Sequence, residues 1–311
     1  LRGRGDAGFE GYVRSDGRVG VRNHVLVLSV VGLVTRAAAR IAAEVAGTVL
    51  VASPVGRGQY ATDKAMHRRQ LIGLGRNPNV AAVLVVGADR LTVDDIAGAI
   101  AKNGKPVRAV ALDDTHEDSL DLSAHGIRSA GELVYAASRL KRTPQAASAL
   151  FCGVECGHSD ATSGLVANPV AGGFADLLVD HGGSAVVGET IEWLGAEDIV
   201  ARRAVTKQLA DAIRSAVLDR ERTIAATGID LTGNNPGAEN IRGGLTTIEE
   251  KSLGAVAKTG SGPIRGLLAH AEAPTSNGIF LMDGPSFSPE SITGFVAAGA
   301  QIVLFTTGAG N

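Results

Sequence analysis

The sequence predicts an α/β protein of two lobes, an N-terminal doubly wound parallel sheet over residues 1–142 and a second, irregular α/β lobe over 150–311. Three observations carry this. Apolar β-branched runs alternate with helix-period stretches up to Arg142, the proline-bearing segment KRTPQAASA at 141–149 breaks that period, and the texture beyond it is rich in glycine and asparagine. With 311 residues, 45% of them hydrophobic, the chain can bury two ordinary cores.

The first-lobe strands are VLVLSVV at 25–31, TVLVA at 48–52, VAAVLVV at 80–86 and VRAVAL at 107–112, each a continuous apolar run suited to a sheet covered on both faces. Helical patterns at 34–46, 62–74, 92–102 and 129–141 connect and follow them, so the series is β-α-β. In the second lobe one long helical stretch occupies about 197–226, strands are expected near 264–269, 279–282 and 301–306, and a helix near 289–298.

Composition excludes several function classes. Thirty Lys plus Arg against 32 Asp plus Glu give a net charge of −2, so no field attracts polyanions or anionic lipid. An aromatic content of 4% removes the stacking platforms of single-strand binders, and nucleic acid is not expected as a partner. No apolar run approaches the ~20 residues of a membrane span and no secretory signal is evident, so a soluble protein is expected. The two cysteines, Cys152 and Cys156, form neither a disulfide framework nor a paired zinc motif, and a reducing cytoplasm is the expected setting.

Three segments carry chemistry. CGVECGHSDATSGLVANP, 152–169, crowds Cys156, His158, Ser159, Asp160, Ser163 and Asn168 into a glycine-hinged stretch that reads as a site or as a network of caps and Asx-turns. GNNPGAENIRGGLTTIEEKSLGAVAK, 233–258, holds Asn234, Asn235, Glu239, Asn240, Arg242, Thr246, Thr247, Glu249, Glu250, Lys251 and Lys258. A helix cap accounts for one Thr and one Glu there and leaves the remaining acid, the lysines and the asparagines over. GYVRSDGRVGVRNH, 11–24, places Arg14, Arg18, Arg22 and Asn23 before the first strand, where the arginines grip an anion or serve as solvated hairpin charges. Residues 156–168 and 233–251, within the first two segments, are expected to line a cleft where the lobes meet. No nucleotide, nicotinamide or serine-hydrolase motif is present.

GYVRSDGRVGVRN, NPNVAAVLVVG, CGHSDATSG with NPVAG, GGLTTIEEKSLGA and GAQIVLFTTG occur here in the order in which they occur in the altronate/galactarate dehydratase family, which the chain resembles over almost its whole length. Family members of the altronate type carry Gly-Cys and Gly-Cys-Glu where this chain has Gly56-Arg57 and Gly87-Ala88-Asp89. There, and in the ending TTGAGN, it resembles the sulfolactate sulfo-lyase large-subunit group instead.

The resemblance implies a lyase that removes the C2 proton of a small anionic 2-hydroxy carboxylate and expels a group from C3. On (R)-3-sulfolactate this gives pyruvate and sulfite; on a sugar acid of the altronate or galactarate type it gives a 2-keto-3-deoxy acid. A non-catalytic acid-binding paralogue is the reading from another class. Asp160, Glu249, Glu250, Lys251 and Lys258 form the pool for base and acid. Arg18, Arg22, Asn23, Ser159, Ser163, Asn168, Asn240, Thr246 and Thr247 are the expected substrate contacts. A divalent metal, iron(II), is the expected cofactor, with Cys156 and His158 as ligands beside oxygen donors. The resemblance also implies a small SAF-domain subunit as partner and an oligomeric enzyme.

Overall fold

A computed structural model describes residues 7–56, 58–228, 235–308 and 310, so Arg57, Asn234 and Ala309 lie outside the described residues. The chain forms two compact units, one of residues 8–145 with 297–301 and one of residues 146–296 with 302–311 and the N-terminal residues.

In the N-terminal unit β1 (Gly8–Val13) and β2 (Val19–Gly20) form an antiparallel hairpin, which β7 (Thr143–Ala146) extends. The segment that reads as a linker is thus partly a strand. A four-stranded parallel sheet of order β4-β3-β5-β6 follows, from β3 (His24–Ser29), β4 (Thr48–Ala52), β5 (Val80–Gly87) and β6 (Val107–Ala111). Helices α1 (Thr35–Glu44) and α4 (Ser119–Ser138) cover one face through Ile41, Leu122 and Leu133. Helices α2 (Ala61–Arg76) and α3 (Arg90–Ala101) cover the other through Leu71, Val93, Ile96 and Ile100. Coverage of both faces is why β5 is buried from end to end. Helix α4 starts well before the expected residue 129 because Asp118 caps it, accepting from the backbone N–H groups of Leu120 and Asp121.

The second unit is also regular. Its five parallel strands run β10-β11-β9-β8-β12, from β8 (Phe151–Cys156), β9 (Ser184–Val187), β10 (Ile264–Ala269), β11 (Gly278–Asp283) and β12 (Ile302–Thr306). Strands β8 and β9 form where the sequence reads as irregular, and they supply the middle of the sheet. The long helical stretch splits into α6 (Glu197–Ala201) and α7 (Lys207–Ala226), with Thr206 capping the latter through the Leu209 N–H. Helix α5 (Asn168–Asp180), α7 and α9 (Ile248–Val256) enclose one core with Val154, Val187, Leu281 and the fully buried Trp193. On α10 (Ser288–Ala298), Phe295 packs against Gly153 and Gly188, glycines where a Cβ would stand 2.7 and 2.9 Å from its ring. All five strands point the same way, so their carboxyl ends share one edge, the usual site edge of an open α/β sheet.

Candidate active site

At that edge β8 ends in Glu155 and Cys156, and β9, paired beside it with Val187 opposite Val154, leads into Gly188 and Glu189. Glu189 adopts a left-handed backbone, φ 68° and ψ 63°, which costs a residue with a Cβ roughly 1–3 kcal/mol, and strain of this kind clusters at functional sites. Its side chain is 4% exposed. Lys258 reaches it from the single turn Ala257–Thr259 that follows α9. The Lys258 Nζ donates to Glu189 Oε2 at 2.7 Å and to Cys156 Sγ at 2.9 Å, and it is wholly buried.

These groups set one another's charge. Burial opposes the Lys258 ammonium, but Cys156, Glu189 and Glu155 around it hold its pKa well above the usual lysine range. Burial also works against ionised Glu189, and Lys258 outweighs it, so this carboxyl sits below its ordinary range. Cys156 is pushed up to about 12 by burial, against the pull of Lys258. Glu155 is pushed up to about 9, first by burial and further by Glu189, with Lys258 opposing. One ammonium therefore faces one carboxylate, with a neutral thiol and a neutral carboxyl beside them.

A second pair adjoins the first. Lys251, on α9, donates to Glu192 at 3.2 Å and to Asn235 Oδ1 at 2.5 Å. Glu192 is buried and its pKa is raised, by burial first, with Glu189 adding and Lys251 opposing. Farther along the edge Thr190 Oγ1 and the Arg220 guanidinium both donate to Asp283 Oδ1, at 2.8 and 3.0 Å.

Of the expected base-and-acid pool, Lys251 and Lys258 thus belong to this cluster. Glu250 is elsewhere: Thr247 Oγ1 accepts from its N–H at 3.2 Å, and its own Oε2 accepts from Thr246 N–H and Oγ1 at 2.8 Å, a cap that uses Thr246, Thr247 and Glu250 together. Glu249 is exposed on the same turn. Asp160 is half-buried, its Oδ1 accepting from Thr162 N–H at 2.8 Å and Ser163 N–H at 3.1 Å, while Ser163 Oγ accepts from the Asp160 N–H. That is the turn network the residue types allow. Asn240 donates to the Ser159 carbonyl at 2.8 Å, tying the 152–169 segment to α8 (Ala238–Arg242). Asn168 bridges the end of β12 and α9, accepting from Thr306 Oγ1 at 2.6 Å and donating to the Gly254 carbonyl. Both segments expected to line a cleft between lobes are parts of the same unit.

Arg18, Arg22 and Asn23 belong to the N-terminal unit. Arg18 pairs with Asp16 at 2.7 Å and donates to the Arg76 carbonyl; Asn23 accepts from buried Arg14 and donates to the Ala137 carbonyl; the Arg22 side chain is exposed.

Cys156 and His158 do not fit together as metal ligands. The Cys156 Sγ is engaged on both sides, accepting from the Lys258 ammonium at 2.9 Å and donating to Glu189 Oε2 at 3.5 Å. The His158 ring, 43% exposed, faces Glu239 at 3.4 Å. Among the described residues no group of three or more His, Cys, Asp and Glu side chains is arranged to hold a metal ion.

Sequence reasoning missed Glu155, Glu189 and Glu192. Each follows or ends an apolar run, FCGVEC and SAVVGETIEW, and an acid at the carboxyl end of a buried strand was the available signal.

Residues 147–311 match the D-galactarate/altronate dehydratase C-terminal domain family, and 11–138 match the second domain of D-galactarate dehydratase/altronate hydrolase. The chain is 40% identical over 310 residues to the (2R)-sulfolactate sulfo-lyase subunit beta of Chromohalobacter salexigens, covering 97% of this chain and 78% of that one. It is 30% identical to altronate dehydratase of Bacillus subtilis and 31% to that of Escherichia coli, spanning 62% of the length of each. No helix among the described residues is long and apolar enough to cross a membrane.

Proposed function

The chain belongs to the D-galactarate/altronate dehydratase family, and from that premise we propose that it is a lyase converting (R)-3-sulfolactate to pyruvate and sulfite. The observation that carries the reading is the pair of lysine–carboxylate contacts, Lys258–Glu189 and Lys251–Glu192, buried at the carboxyl edge of the second sheet. An elimination of this kind needs a base at C2 and fixed positive charge where the carboxylate becomes enediolate-like. Lys258, locked between Cys156 and Glu189, keeps its proton and is suited to the second role.

Lys251 is less enclosed, its side chain 15% exposed, and it is suited to the first. Its neighbour Glu192, 3.2 Å away, completes the pair that receives the C2 proton. The C2–H electrons form the C2=C3 bond, the C3–S electrons leave with sulfite, and the resulting enol becomes pyruvate. Sulfite needs no proton in order to leave, so the site requires no second acid at C3.

The sulfo-lyase relative is named as a subunit, and a small SAF-domain partner, an oligomeric assembly and a cytoplasmic setting complete the proposal. A sugar-acid dehydratase is the second reading, favoured by the match to two altronate dehydratases. The test is turnover by the chain with its small subunit, reading pyruvate and sulfite from 3-sulfolactate and 2-keto-3-deoxy acid from altronate and galactarate. Sulfite release supports the first reading and keto-deoxy acid the second. Thermal stabilisation by these acids with no product from any of them overturns both and leaves an acid-binding paralogue.

A further inference from the structure

Behind Lys258 and Glu189 lies a carboxyl group that the reaction does not call for. Glu155 is fully buried at the end of β8, and Ser291 Oγ, from α10, donates to its Oε2 at 2.6 Å. Its other oxygen, Oε1, is buried and receives no donor among the described residues. The Glu189 carboxyl, an acceptor when ionised, interacts with that of Glu155. Two acceptors facing each other in a buried site repel, and the contact becomes a hydrogen bond only when one carries a proton.

Lys258 decides which. Its ammonium lies on Glu189 Oε2 at 2.7 Å and keeps that carboxyl ionised, so the proton belongs to Glu155. The backbone is built around the same contact. Gly188 lets α10 come so close that a Cβ there would stand 2.5 Å from Ser291 Oγ, and Glu189 itself holds its left-handed conformation directly after it.

We propose that Glu155 is a positioning residue: as a neutral acid, fixed by Ser291, it donates a hydrogen bond to Glu189 and thereby aims Glu189 and the Lys258 ammonium at the site. A pKa raised to about 9 agrees with a group that stays protonated at neutral pH. In its significance for turnover the inference rests on the lyase reading; the proton itself does not.

The full chain, with its small subunit for kinetics, tests both parts. Infrared spectra of the resting wild-type protein should show the carbonyl stretch of a buried protonated carboxyl that shifts in heavy water, and Glu155→Gln should lack it. Ser291→Ala, which removes the donor to Oε2, should move the band to higher frequency. Because an amide can accept from Ser291 and donate to Glu189, Glu155→Gln should keep kcat within about threefold, whereas Glu155→Leu should lose ~100-fold or more in kcat with little change in KM. A wild-type protein without the band, or a band untouched in both Glu155→Gln and Ser291→Ala, overturns the proposal whatever reaction the protein performs. A folded Glu155→Leu variant with undiminished kcat overturns the positioning role. Should that variant fail to fold, a Glu155→Gln variant that has lost kcat overturns it as well. A band that behaves as expected in a protein with no lyase activity would leave the shared proton standing and sink only the lyase reading.

Discussion

Adjacent side chains on one turn of α9 have opposite roles, and only their contacts separate them. Glu250 accepts from Thr246 at the helix start, while Lys251, one residue on, turns inward to Glu192 and Asn235. Lys251→Met should therefore cut turnover by ~100-fold or more, the size of a general acid–base contribution, in a protein that still folds. Glu250→Gln should leave turnover unchanged and lower only the melting temperature, slightly, since an exposed cap acts on the helix end. Kinetics and melting curves of the two variants, side by side, check this. Equal losses of turnover in both would place the cap inside the site. Such a division was partly legible beforehand: the capping-box spacing is a local signal that leaves Glu249 and Glu250 as alternatives, and the contacts single out Glu250. The partners of Lys251 and Lys258 were not, because Glu192 and Glu189 lie 59 and 69 residues away along the chain and are brought near by the order of strands.

Elements reveal the same limit. Continuous apolar runs identify β3 to β6 and β10 to β12 nearly to the residue, most fully in β3 and β5, which helices cover on both faces. Strands β8 and β9 escape because glycine, cysteine and an acid interrupt β8, and β9 has only four residues. The glycine in β8 is a packing device: Gly153 faces Phe295 of α10, and a Cβ there would lie 2.7 Å from the ring. Gly153→Ala should destabilise the second unit by about 1–3 kcal/mol, the usual cost of overpacking a close contact. Phe295→Leu, which shortens the opposing side chain, should recover part of that loss in the double variant, and a denaturant series on the four proteins measures the coupling. Strictly additive losses would mean that α10 and β8 do not meet as described.

For the molecule as a whole, two compact units imply two cores that need not melt together, and one residue distinguishes them. Trp193 is the single tryptophan and is fully buried in the core of the second unit, so its fluorescence follows that unit alone. This provides a clean reading of how the buried cluster responds to pH. Glu155 has a folded pKa of about 9 against an ordinary value of 4.5. Between those values the folded state holds a proton that the unfolded state has released, so stability falls as pH rises through this window. Glu192, also raised, acts in the same direction. Glu189 is lowered, and its contribution is present above the ordinary carboxyl range and lost only as pH falls below it. Lys258, raised well above the lysine value, adds stability that persists until more alkaline pH. Across neutral pH the cluster's slope is thus negative and set by Glu155. The fluorescence-detected denaturant midpoint should drop between about pH 6 and about pH 8.5 in the wild type, and Glu155→Gln, with no proton to lose, should show a shallower drop. The difference between the two slopes isolates Glu155 from every other titrating group. Parallel slopes would show that this carboxyl is ionised in the folded protein throughout the range, and the charge arrangement drawn around Lys258 would have to be reversed.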